Sequence, residues 1–273
     1  MIMKKILIFV LSLIMTVSLV GCGNGNNGEQ QGNPESTPDK KEPISMSAEE
    51  IYSAVENLYN SDVIDLDMTH TRFMNDLSST NSTNLVCRGF ASGDFEYYIK
   101  NKVGIRDFTD NIYVGGILYT NYGSEIGEIK IKTEKVDYQA KAEFMREFRA
   151  YPELSDFDKS EISSDSERAT LTLTGISADV FYELVLGIKP EDFDSMTEYE
   201  QACGEYEFDS SKYVLSISVN EKGELVEITE DYSYDYSANG KTAVSYGVKT
   251  KTVRGNNIAK IKAPDDADSY IGY

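Results

Sequence analysis

The sequence predicts an α+β fold, a strongly curved antiparallel sheet with two to three helices packed against it. Three observations lead there. A capped helix with one apolar face opens near residue 47. Apolar residues then recur at every second position in several runs, and the C-terminal third alternates long strands with short turns.

Ser47-Ala48-Glu49-Glu50 reads as a capping box, with Ser47 as N-cap and Glu50 reaching back to it. Ile51, Val55, Leu58 and Tyr59 follow at the spacing of one helical face. The period then changes to two. Ile64, Leu66 and Met68 alternate with Asp65, Asp67 and Thr69, and Phe95, Tyr97 and Ile99 alternate with Glu96, Tyr98 and Lys100, as in half-buried strands.

Further strands are expected over residues 111–120 and 127–133. A helix over 137–148 follows, carrying Phe144 and Phe148 one turn apart. Ala169, Leu171 and Leu173 alternate with threonines in another strand. Ser177 then caps a helix to about residue 187, with Val180, Leu184 and Ile188 as its inner stripe. Tyr213, Leu215, Ile217 and Val219 form a strand face, and Glu221-Lys222-Gly223 turns the chain. Residues 226–236 return, Asn239-Gly240 turns it again, and Val244, Tyr246 and Val248 run back. A closing strand is expected at Ile258-Ala259-Lys260-Ile261, ahead of Ala263-Pro264.

The N-terminus has the three zones of an export signal. Lys4 and Lys5 supply the positive charge, residues 6–20 are uncharged and mostly apolar, and Leu19-Val20-Gly21-Cys22 closes the segment. The apolar run is shorter than the roughly 20 residues a spanning helix needs. These four residues resemble the lipobox of bacterial lipoproteins. That resemblance implies cleavage ahead of Cys22, a diacylglycerol thioether on its sulfur, and a place on the outer face of a cell membrane. Residues 22–45 are rich in Gly, Asn, Gln, Pro, Glu and Lys and read as a disordered tether. At Gly-rich stiffness its mean span is about 25–30 Å. Residues 46–273 are then expected to form a single domain.

Without residues 1–21 the chain holds 24 Lys and Arg against 46 Asp and Glu, a formal charge of −22. Such acidity excludes the basic footprint of a nucleic-acid binder and disfavours lying flat on anionic lipid.

The order of elements over about residues 46–265 resembles LolA and LppX-like lipoprotein domains. There an N-terminal helix precedes an incomplete antiparallel barrel, with helices filling its mouth. The resemblance implies a half-barrel with a hydrophobic cavity that holds an acyl chain or another lipophilic molecule. LolA itself is a soluble carrier, whereas this chain is tethered.

Nothing in the sequence points to catalysis. His70, the only histidine, continues the inward alternation of β-type residues and reads as a partly buried strand residue with a hydrogen-bond partner. No CxxC, HxxxH or EF-hand spacing is present, so neither metal nor cofactor is expected. The acids at Asp231, Asp235, Asp265, Asp266 and Asp268 read as solvated. Tyr232, Tyr234 and Tyr236 share a strand face with Val226 and Ile228, which favours the buried face of a hairpin over an exposed aromatic platform. Cys87 and Cys203 either form a disulfide outside the cytoplasm or stay as buried thiols.

The function expected is a non-enzymatic lipoprotein that binds or carries a lipophilic ligand. Mid-strand position puts Met68, Tyr97, Leu171, Ile217, Ile228 and Tyr246 in its cavity. The rival expectation is a surface interaction protein with a packed core, whose partner is a wall polymer or envelope protein.

Overall fold

The computed structural model describes residues 42–272 apart from 76, 105, 124–126, 149–150, 239–240 and 256–257. Cys22, the signal segment and most of the tether therefore lie outside the described residues, as does the side chain of Phe148. Residues 41–273 form one compact unit.

The Ser47 capping box forms as its spacing predicts. Glu50 N donates to Ser47 Oγ at 3.2 Å and Ser47 N donates to Glu50 Oε2 at 2.7 Å. It opens α1 (Ala48–Tyr59), which buries Ile51, Tyr52, Ala54, Val55 and Leu58. β1 (Val63–Met74) and β2 (Leu77–Arg88) make a long hairpin, followed by β3 (Glu96–Val103) and β4 (Arg106–Val114). β2 was not expected, because its first half is made of Ser, Thr and Asn.

The strand expected over 111–120 is two strands, β4 and β5 (Ile117–Tyr122). Gly115 and Gly116 both take positive φ, +59° and +79°, which closes a two-residue hairpin between them. β6 (Ile129–Glu134) and α2 (Asp137–Phe148) follow. Then come β7 (Lys159–Ser164), also unforeseen, and β8 (Arg168–Thr174).

Ser177 caps α3 (Ala178–Phe181), which widens into a π-turn over Tyr182–Leu186 and ends at Gly187 with φ +70°. Phe181, rather than Val180, is the fully buried residue of this segment. The π-turn changes the angle between successive side chains, so the 3.6-residue stripe does not hold. A further helix, α4 (Met196–Cys203), was not expected. β9 (Tyr206–Glu207), β10 (Tyr213–Asn220), β11 (Leu225–Ala238) and β12 (Lys241–Val253) complete the C-terminal third, with β13 (Ile271–Gly272) at the end.

The sheet order is β13-β6-β5-β4-β3-β2-β1-β12-β11-β10-β8-β7, with β9 paired to β11, and the sheet does not close on itself. The pairs are antiparallel except β13 with β6, which is parallel. Residues 258–261 form no strand. Ile261 N instead donates to Glu96 Oε2 at 3.2 Å, a side-chain contact that replaces the ladder.

Two apolar clusters fill the interior. One joins α1 and α3 to β8, β10 and β11 through Ile51, Val55, Phe181, Leu171, Leu173, Leu215, Ile217 and Ile228. The other joins α2 to β1–β4 through Ile64, Leu66, Leu85, Cys87, Phe95, Tyr97, Tyr113 and Phe144. Among the described residues no helix is long and apolar enough to cross a membrane.

Candidate functional site

The paired registers, read sideways across the sheet, give rows of side chains on one face. The deepest row runs Ile64, Cys87, Tyr97, Tyr113, and is buried throughout. Four residues along β1–β4, past the buried row Leu66, Leu85, Ile99, a second row runs Leu171, Ile217, Ile228, Lys251, Met68, Thr83, Asn101, Thr109. A third runs Leu173, Leu215, Glu230, Lys249, His70, Asn81, Val103, and a fourth begins Tyr213, Tyr232, Gly247, Arg72. Each of the last three rows is apolar or aromatic on β8 and β10 and mostly polar as it crosses to β12 and β1–β4, with Met68 and Val103 as apolar exceptions.

This change of chemistry opens a cavity. Tyr and Phe rings fill the space above the deepest row, whereas Asn81, Thr83, Asn101 and Thr109 are too short to do so. The result is a space of about 510 Å³ lined from β1, β2, β3, β4, β11 and β12, with Leu184 and Val185 of the π-turn contributing the remaining wall. These six strands are adjacent in the sheet, in the order β4-β3-β2-β1-β12-β11, and all six line the one space.

The polar wall is internally bonded. Thr83 Oγ1 donates to Asn101 Oδ1 at 2.7 Å, and Asn101 Nδ2 donates to Thr109 Oγ1 at 3.2 Å. His70 is half-buried, as its place in the alternation implies, with Nε2 2.7 Å from the Tyr232 hydroxyl and 3.1 Å from Arg72 Nε. Arg72 Nε–H only donates, so His70 Nε2 is the accepting nitrogen. Tyr232 reaches His70 across Gly247, its partner on β12: a Cβ at that glycine would sit 2.4 Å from Tyr232 Cζ. Within the same wall Glu230, 3 % exposed, faces Lys249 Nζ at 3.4 Å. Lys251, 1 % exposed, holds its Nζ 4.3 Å from the Tyr151 ring centroid.

The structure brings four of the expected cavity residues, Leu171, Ile217, Ile228 and Met68, into one row, and of these Met68 lines the open space. Leu171, Ile217 and Ile228 are packed in the cluster under α1, and Tyr97 in the cluster under α2. Tyr246 stands on the opposite face, 37 % exposed, against Phe73 with ring centroids 5.6 Å apart, and its hydroxyl donates to Asp231 Oδ2 at 3.1 Å. Cys87 and Cys203 are both free and buried; Cys87 belongs to the α2 cluster and Cys203 ends α4. Among the described residues no cluster of His, Cys, Asp and Glu is arranged to hold a metal ion.

Arg72, Lys249, Glu230 and the short polar residues were not expected in the site. The signal for Arg72 was present: the β1 alternation that carries Met68 and His70 inward reaches it two residues later. For Lys249 no local signal exists, since its orientation depends on its partners Glu230 and His70.

Burial sets the acid–base behaviour of this interior. Loss of solvent pushes Tyr52, Tyr113 and Tyr232 up to about 12, and the Cys87 thiol up to about 12. Burial followed by the Glu230 charge raises Tyr59, Tyr151 and Tyr213 still further. Unfolded thiols and phenols ionise near 8.5 and 10. The native state therefore keeps protons that the unfolded state gives up, and stability present below pH ~9 is lost as pH rises toward 12. A urea midpoint flat to about pH 9 and falling steeply above it is the expected result. Phenolate absorbance should appear together with loss of structure. Native-state ionisation of all the tyrosines near pH 10 would contradict it.

No protein-family model matches the chain, and no curated protein does. Among solved structures it is similar to LprF from Mycobacterium bovis, with 12 % identity over 81 % of this chain and 99 % of that one, at a TM-score of 0.35. It is also similar to a LolA superfamily protein from Nitrosomonas europaea, with 12 % identity over 81 % of this chain and 97 % of the other, at a TM-score of 0.24.

Proposed function

We propose that this chain is a non-enzymatic binding protein, anchored outside the cell membrane through a lipid on Cys22, that holds an amphiphilic molecule in a half-barrel cavity. The observation that carries this reading is the space at the curved face of the sheet. Its volume, about 510 Å³, falls within the range of small-molecule sites, and its wall joins Met68, Val103, Leu184 and Val185 to a bonded polar set. A purely lipophilic guest, as the family resemblance implied, would leave Asn81, Asn101 and Lys249 facing hydrocarbon, which is costly. A guest with one polar and one apolar end satisfies both walls.

Native mass spectrometry of the Cys22→Ala chain, purified without detergent, tests this. An amphiphile of defined mass should accompany the protein and be lost in Thr83→Trp, whose indole fills the space. A ligand-free spectrum for both proteins, with no uptake of added amphiphile, would overturn the reading.

One observation favours the second reading, a surface interaction protein. Phe73, Met74, Leu77, Val244 and Tyr246 are exposed at one end of the sheet, where β1 and β2 meet the start of β12. Cross-linking on intact cells that captures a single envelope partner, lost on Phe73→Ser, would support that alternative.

A further inference from the structure

We infer that the cavity selects an anionic head group, an oxyanion such as a phosphate or carboxylate, at Arg72 and Lys249. The inference rests on the amphiphile reading above and names the polar end of that guest.

The first support is charge. The chain carries 46 Asp and Glu against 26 Lys and Arg. At that composition the fifteen lining residues would include about two or three carboxylates and one or two cations. They include instead Arg72, Lys102 and Lys249 with His70, against Glu230 alone. A concave site lined by one sign of charge focuses its potential on the guest. In so acidic a protein this wall runs against the surrounding field.

The second support is how these charges are engaged. Glu230 is buried against Lys249 at 3.4 Å, so the one carboxylate is already matched by a cation. Arg72 is engaged by a neutral group: its Nε donates to His70 Nε2 at 3.1 Å, and among the described residues no carboxylate forms an ion pair with it. The imidazole fixes the direction of the guanidinium. The other N–H donors of its planar fork suit a two-oxygen acceptor. Tyr232, whose hydroxyl donates to His70 Nε2 at 2.7 Å and so steadies the imidazole, is held in place from the far side by Phe181, with ring centroids 6.4 Å apart, and by the gap at Gly247. The apolar residues Leu184 and Val185 of the π-turn stand on the same space, where the tail of the guest would lie.

Four probes separate this inference from the reading it rests on, each titrated calorimetrically below its micelle concentration into the Cys22→Ala chain. They are dodecyl phosphate, dodecanol, dodecyltrimethylammonium and inorganic phosphate. Dodecyl phosphate is expected to bind at least tenfold more tightly than dodecanol, with the advantage shrinking as salt rises. Arg72→Gln should remove that advantage, bringing dodecyl phosphate to the affinity the same variant shows for dodecanol. Equal binding of phosphate and alcohol, or preference for the ammonium, overturns the anionic head and leaves the amphiphile reading standing. Binding of inorganic phosphate as tight as dodecyl phosphate, lost in Arg72→Gln, keeps the anion site and overturns the amphiphile. Failure of all four overturns both.

Discussion

Phe144→Ala is expected to lower the unfolding free energy by about 3–5 kcal/mol, the cost of truncating a large, fully buried aromatic side chain. Phe144 is the residue by which α2 is fixed to the sheet. It is wholly buried, with ring centroids 5.8 Å from those of Phe95 and Tyr97 and 6.0 Å from that of Phe90. Beside it Ala140 is buried and Met145 half-buried, both small contributions next to the ring, and the remaining contacts of α2 are polar and nearer solvent: an ion pair between Lys135 and Glu143, and a hydrogen bond from Lys141 Nζ to Phe90 O at 2.7 Å. Such contacts contribute about 1 kcal/mol or less each. A urea midpoint measured beside Met145→Ala, whose side chain is only half-buried, checks the claim. A loss under about 1 kcal/mol in Phe144→Ala would mean the helix is not anchored through this ring.

The second large effect concerns the buried pair in the cavity wall. Lys249→Met should destabilise by about 3 kcal/mol, because it leaves the Glu230 carboxylate in the interior without the cation 3.4 Å away. Combining it with Glu230→Gln should restore most of that loss, since two neutral side chains then occupy the space of two charges. The contrast between single and double variants is the informative quantity. A double variant as unstable as Lys249→Met alone would show that the methylene stem of Lys249, rather than its charge, holds the site together. The pair also explains how a chain so rich in acids keeps a basic cavity: its one lining carboxylate is spent on the scaffold.

Much of the fold was legible in the sequence because its signals are local. The Ser47 capping box, the β1 alternation from Ile64 to Met68 and the limits of α2 depend on neighbours within a turn of helix or a few strand residues. β2 and β7 escaped notice because Ser, Thr and Asn fill much of them, and their strand character comes from pairing. The run at 111–120 looked continuous because its apolar residues continue on both sides of Gly115-Gly116; the hairpin lies in the dihedral freedom of those two glycines.

The candidate site was legible only in part, and Tyr246 shows why. A period of two is the same whichever side faces inward, so alternation marks β12 as a strand without saying which set of residues is covered. The register decides it: Tyr232 lies opposite Gly247 and Glu230 opposite Lys249, which turns Tyr246 outward. The amino-acid order alone determined the starts of α1, α2 and α3, the strand periods and the acidic charge, all set by near neighbours. Tertiary pairing alone placed Arg72, Lys249, Asn101 and Thr109 around one unfilled space. Those residues come from four different strands, and only their hydrogen-bonded alignment sets which side chains meet.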